Sequence, residues 1–264
     1  MVTNSITAAT GHVTVGGVAL EYRWFGDAAG PPIVMLHEGL GSVAVWKDFP
    51  EQLSRTMDSS VLAYSRRGYG KSDPLTQWRE PEYMHIEGEV VLPALLDALG
   101  IEAATLMGHS DGASIALLFA AAHPTRALGL ILEAPHVFVE PITVKSIAEA
   151  KVTYETTDLS RKLGRYHDDV ESAFWGWNKI WLDPRFLEWN IEDILPHVSC
   201  PTLMIQGLQD EYGTQAQLDA ISAKVPRSEV VLLDNCGHSP HRDQPAMTLA
   251  AIETFLKRDI ETGR

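Results

Sequence analysis

Short, wholly apolar runs alternate along the chain with longer stretches whose apolar residues recur at helical spacing. His12 to Val15 and Val18 to Phe25 are rich in β-branched and aromatic residues and flank Gly16-Gly17, which predicts two strands joined by a tight turn. After Pro31-Pro32, Ile33 to Leu36 is apolar at every position, the pattern of a central parallel strand covered on both faces. It ends in a glycine-containing loop, His37 to Ser42, before a helix expected to run to about Met57. Ser60 to Tyr64 predicts a strand. From Met84 to Leu99, residues Ile86, Val90, Val91, Leu95 and Leu99 hold helical spacing, and Gly100 stops it. Ile101 to Leu106 predicts a strand, Ala113 to Ala122 a helix and Leu128 to Leu132 a further buried strand.

Around Ala134-Pro135 the pattern changes. From His136 to about Pro196 the apolar spacing is helical with no strand-like run, and Trp175, Trp177, Trp181 and Trp189 concentrate four of the seven tryptophans there. Alternation resumes with a strand at 202–206, a helix at 214–225, a strand at 229–233 and a closing helix at 246–257. Strand–helix alternation predicts an α/β fold, a mostly parallel central sheet with helices on both faces. The core is expected to comprise residues 1–135 and 197–264, interrupted by an all-helical cap at 136–196. A chain of 264 residues is long enough to bury one sizeable core of this kind.

Composition narrows the partners. Apolar residues at 45% and charged residues at 21% are ordinary for a globular protein. A formal net charge of −14 argues against nucleic acid or an anionic membrane as partner, since both repel it. Met1 to Thr10 lacks the basic start and apolar run of a signal peptide. The longest apolar helix-like run, Ala113 to Ala122, is too short to span a bilayer. Cys200 and Cys236 fall in separate segments and are expected as free thiols. A cytoplasmic monomer or homodimer is expected.

The chemistry centres on Gly108-His109-Ser110-Asp111-Gly112, a G-x-S-x-G pattern between a predicted strand and a predicted helix. Such an elbow holds serine in a strained conformation, and glycines at its second neighbours avoid a clash. A serine hydroxyl needs an adjacent base oriented by a third group. In this arrangement an acid and then a histidine should follow, each on a loop after a strand. Asp210 follows the strand at 202–206, and His238 follows the strand at 229–233.

With these features the chain resembles the α/β-hydrolase fold enzymes over nearly its whole length. The resemblance rests on the His37-to-Ser42 loop, Arg67-Gly68-Tyr69-Gly70-Lys71-Ser72, the elbow, Gly207-x-x-Asp210, and Gly237-His238 followed by Gln244-Pro245. It implies Ser110 as nucleophile, His238 as base and Asp210 as acid. It also implies an oxyanion hole from the backbone N–H of Asp111 and that of Gly39, with Leu40 as the alternative. Glu38 replaces the glycine that commonly follows the histidine of that loop, and Ser65 stands where relatives commonly carry aspartate.

Rivals exist for two positions. Glu211 or Glu133 competes with Asp210 as the acid, and His241 competes with His238; Glu133 is alternatively a pocket residue. The Asp111 side chain either complements the helix dipole or meets a cationic group on the substrate. Trp177 and Trp181, four residues apart, share a helical face and are expected to wall an apolar pocket, with His136 a further pocket residue. His238-x-x-His241 has no third ligand near it in sequence, so neither metal nor cofactor is expected.

The expected activity is cofactor-free hydrolysis of a small ester, thioester or lactone through an acyl-enzyme. One alternative is a carbon–carbon bond hydrolase of 2-hydroxy-6-oxo-dienoate ring-cleavage products, which requires basic residues in the cap such as Lys145, Lys151, Arg161, Lys162 or Arg165. Another is an aminoacyl-ester hydrolase that uses Asp111. A non-catalytic ligand-binding protein on the same fold is the alternative from a different class.

Overall fold

The computed structural model describes residues 9–261. Strands β1 (Thr10–Val15) and β2 (Val18–Phe25) form a hairpin whose turn places Gly16 and Gly17 at φ 56° and 82°. Glycine reaches that left-handed region without a steric penalty. β3 (Ile33–Leu36), helix α1 (Phe49–Met57) and β4 (Val61–Tyr64) follow. Helix α2 (Tyr83–Ile86) passes through a wide π-turn at Glu87–Val91 into α3 (Leu92–Ala98). Then come β5 (Ala104–His109), α4 (Asp111–Ala122) and β6 (Ala127–Glu133).

Helices α5 (Pro141–Thr156), α6 (Leu159–Leu163) and α7 (Val170–Trp181) lie between β6 and β7 (Thr202–Gly207). The chain closes with α8 (Gln215–Lys224), β8 (Ser228–Leu233), the short α9 (Pro240–Asp243) and α10 (Pro245–Phe255). Helix starts are marked by side chains that satisfy free N–H groups: Asp169 accepts from Ser172 at α7, and Thr214 accepts from Ala216 at α8.

The eight strands form one sheet in the order β1-β2-β4-β3-β5-β6-β7-β8. β1 and β2 run antiparallel, as do β2 and β4, and every later pairing is parallel. This is the expected α/β fold with a mostly parallel sheet. The order also locates a crevice. From β3 the chain winds to β4 on one side, then crosses to β5 on the other, so the loops after β3 and β5 diverge. Ligand sites of open α/β sheets form at such a switch point, beyond the carboxyl ends of the strands.

Apolar residues cover both sheet faces. In β3, Val34 and Leu36 join one core cluster while Ile33 and Met35 join the other, the period-two division of a strand buried on both sides. Residues Asp111 to Ala120 of α4 are buried throughout, so this helix is wrapped by structure on all sides. Cys200 and Cys236 are unpaired and buried. Among the described residues no helix is long and apolar enough to cross a membrane.

The sequence places Ile86 and Val90 on the buried face of one helix, and this is corrected. Both are exposed, at 52% and 61%, because the wide turn at 87–91 rotates the helix and directs Tyr83, Met84, Glu87 and Gly88 inward. β5 also runs three residues further than expected, directly into the elbow.

Candidate active site

Ser110 occupies the turn between β5 and α4 with φ 53° and ψ −116°, a region a non-glycine residue enters only under constraint. A Cβ at Gly108 collides with the Gly112 carbonyl, and one at Gly112 collides with the Leu36 carbonyl. The elbow can therefore press against β3 only with glycine on either side. The Ser110 N–H donates to the Glu133 carbonyl at 2.9 Å, tying the elbow to the end of β6. Ala134, in the loop after β6, also has a positive φ, at 46°.

Ser110 and His238 line a cavity of about 250 Å³ with Gly39, Leu40 and Asp111. Its far wall is Thr143, Ile147, Trp177 and Trp181 from α5 and α7, and His136 and Tyr212 flank it. Glu38, Glu211 and Arg242 add charged groups. The expected pocket residues His136, Trp177 and Trp181, and Leu40, the alternative oxyanion donor, are thus all brought to one cavity.

His238 Nδ1 donates to Asp210 Oδ1 at 2.8 Å, leaving Nε2 available to carry a proton. The same oxygen accepts from the backbone N–H of Tyr212 at 2.8 Å and of Gly213 at 3.2 Å. Burial alone raises the Asp210 carboxyl, but His238 and the Tyr212 N–H hold it below the ordinary carboxylate range. Glu211 does not approach the ring; its carboxylate accepts from the His238 backbone N–H at 3.3 Å.

The two rivals from the sequence pair with each other. His241 Nδ1 donates to Glu133 Oε2 at 2.6 Å, and both side chains are buried. Glu133 lies outside the cavity wall, so the structure corrects the expectation of a pocket residue there. Packed against this pair is His109, a residue the sequence did not single out. Side-chain nitrogen and oxygen atoms of His109, Glu133 and His241 fall within 4.8 Å of one another, a spacing that local sequence could not reveal because the three sit at the end of β5, at the end of β6 and beyond β8. The 2.6 Å contact is the spacing of a shared proton. Ligand atoms each about 2.0–2.2 Å from a zinc ion stand farther apart than that.

The loop after β3 is braced from beneath. His37 donates from Nδ1 to the Glu38 carbonyl at 2.7 Å and accepts the Arg66 N–H on Nε2 at 3.1 Å. Burial, aided by Arg66, pushes this imidazole well below its ordinary pKa, so it stays neutral. The fully buried Arg66 guanidinium donates to the His37 carbonyl and, at 3.0 Å, to the Glu38 carbonyl. Both carbonyls are held by that fork. A Cβ at Gly39 collides with the Trp177 indole, so glycine lets α7 close onto this loop. Glu38 turns its carboxylate toward His109, with Oε2 3.6 Å from Nδ1.

The Asp111 carboxylate is engaged on both oxygens. Oδ2 accepts from Tyr83 at 2.8 Å and stands 3.8 Å from Arg66, while Oδ1 accepts from Trp181 Nε1 at 3.2 Å. These partners favour a structural part for the side chain over capture of a substrate cation. Lys145, Arg161 and Lys162 are exposed and paired to Glu149 or Asp158, away from the cavity. Arg242 is the only lysine or arginine in the cavity wall among the described residues.

Comparison with known proteins agrees with this architecture. Residues 31–174 match the family model for the alpha/beta hydrolase fold. The chain is 28% identical to the Homo sapiens serine hydrolase BPHL, covering 90% of this chain and 82% of the relative. It is 24% identical to 2-hydroxy-6-oxononadienedioate/2-hydroxy-6-oxononatrienedioate hydrolase 2 of Pseudomonas putida, covering 83% and 85%. Among solved structures, the enol-lactonase from Burkholderia xenovorans LB400 superposes with a TM-score of 0.74 at 21% identity, covering 94% of this chain and all of that one (100%). With its sheet order, its elbow and a family match over more than half its length, this chain belongs to the alpha/beta hydrolase fold family.

Proposed function

We propose that the protein is a serine hydrolase that cleaves a small ester, thioester or lactone without a cofactor. One observation carries this reading: a strained Ser110 shares a cavity with His238, whose other nitrogen is bonded to Asp210. Ser110 Oγ attacks the carbonyl carbon while His238 Nε2 takes its proton. The N–H groups of Asp111 and Gly39 bind the oxyanion, and Leu40 is the alternative donor. The imidazolium returns the proton to the leaving oxygen or sulfur, giving an acyl-enzyme. Water then attacks the acyl carbonyl, delivers its proton to His238, and the acid leaves as Ser110 is reprotonated.

Residues 136–196 serve as a cap over a core made of the rest of the chain. The cavity suits a compact apolar group held between Ile147, Trp177 and Trp181. Arg242, the single lysine or arginine in its wall among the described residues, lies 3.6 Å from Asp243, which supports a monoester or lactone over a dicarboxylate dienoate.

The test is Ser110→Ala, measured on a panel of p-nitrophenyl esters, thioesters, lactones and dienoates, alongside labelling by a fluorophosphonate probe. Turnover and labelling are expected to fall by at least about 10⁴-fold. Undiminished turnover in the variant overturns the mechanism, and a wild-type protein that neither labels nor turns over any of the panel favours a ligand-binding role.

A further inference from the structure

We propose that His109, backed by the buried Glu133–His241 pair, is a positioning residue that sets where His238 stands relative to Ser110. The inference rests on the proposed serine-hydrolase reading and assigns a function to groups that reading leaves unused. His109 immediately precedes Ser110, and its Nε2–H donates to the His238 carbonyl at 2.6 Å. One hydrogen bond therefore joins the residue beside the nucleophile to the backbone of the residue that serves it as base. Because a carbonyl only accepts, this bond keeps the proton on Nε2 whether the ring is neutral or charged.

Two further links run in parallel. The Ser110 N–H is held by the Glu133 carbonyl at 2.9 Å, and the Glu133 carboxylate holds His241 at 2.6 Å, three residues beyond His238. Main chain and side chain of one glutamate thus grip both halves of the site. The His109 ring packs against those of His238 and His241, with centroids 5.1 Å and 5.2 Å away, and Trp46 covers His241 at 4.7 Å. Glu38 approaches the remaining nitrogen of His109 from the loop after β3. The ends of β5 and β6 and the segments following β3 and β8 meet at this one ring. None of these contacts reaches a reacting atom, so the effect is on alignment. Displacement of a base by about 1 Å can cost roughly 10²-fold in rate.

The test compares His109→Leu with His109→Gln in the full-length protein, using p-nitrophenyl butyrate and a fluorophosphonate probe. A glutamine amide can donate to the His238 carbonyl from similar reach; leucine cannot. The expectation is a fall of about 10²-fold in kcat for His109→Leu with KM little changed, a parallel fall in the labelling rate, and recovery of most of both in His109→Gln. The idea is overturned if leucine and glutamine variants both keep wild-type kcat, or if both lose it equally and in step with their melting temperatures. Metal analysis of the purified protein provides a second check. Stoichiometric zinc that disappears in His241→Ala overturns the hydrogen-bonded brace in favour of a metal centre. Ser110→Ala separates the two levels: if it remains active the hydrolase reading fails, whereas an inactive Ser110→Ala beside a fully active His109→Leu sinks the brace alone.

Discussion

His136 illustrates how one side chain couples the cavity to the stability of the molecule. It is buried between Trp181 and His238, and burial, followed by the charge of a protonated His238, pushes its pKa down to about 3. In the unfolded chain the imidazole returns to an ordinary value of about 6.5. Between those two values the unfolded chain binds a proton that the folded chain refuses, so stability falls as the pH drops through that window and levels off below it. The slope is at most about 1.4 kcal/mol per pH unit for one group. His136→Asn is expected to flatten the dependence between about pH 6.5 and pH 3 relative to wild type. Urea unfolding midpoints across that range measure it, and superimposable pH profiles for the two proteins refute the assignment.

At the scale of elements, the contact between α7 and α4 is the one to probe. Trp181 Nε1 donates to the Asp111 carboxylate, which also holds Tyr83 from α2, so one buried charge links three helices. Trp181→Phe keeps an aromatic ring but removes the donor and part of the buried volume, at an expected cost of at least about 1–3 kcal/mol. Hydrogen exchange should accelerate in α7 while the central strands stay protected. Unchanged protection of α7 counts against the link.

The same elements show what the sequence could reveal. Strand–turn–helix around Ser110, and the loops bearing Asp210 and His238, were legible because each signal is local: an apolar run, a glycine pattern and a polar residue after a strand. The Glu133–His241 pair, the fork of Arg66 under the His37 carbonyl and the place of His109 were not, since each joins residues from different strands. The buried face of the helix at 83–98 was misread for another reason. Regular spacing assumes 3.6 residues per turn, and the wide turn at Glu87–Val91 breaks that phase.

Across the whole molecule, the helical segment between β6 and β7 shares its core with the sheet. Trp177, Trp181, Phe186, Trp189 and Ile191 belong to the same buried cluster as Leu106, Leu117 and Leu132. Such continuity predicts a single cooperative transition. Tryptophan fluorescence, weighted toward residues 175–189, and far-UV circular dichroism should report the same urea midpoint. Separated midpoints would mean that the helices melt independently of the sheet.

The backbone at Ser110 also carries a cost in stability. A non-glycine residue in that conformation costs on the order of 1–3 kcal/mol, an appreciable part of the roughly 5–15 kcal/mol that holds a domain folded. Glycine at the same position relieves the strain with a single substitution and leaves the flanking strand and helix as they are. For a lineage needing only a receptacle for small molecules, that exchange is an open door to a sturdier protein. On the proposed hydrolase reading, the Ser110 hydroxyl is what a Ser110→Gly exchange gives up in return for that stability.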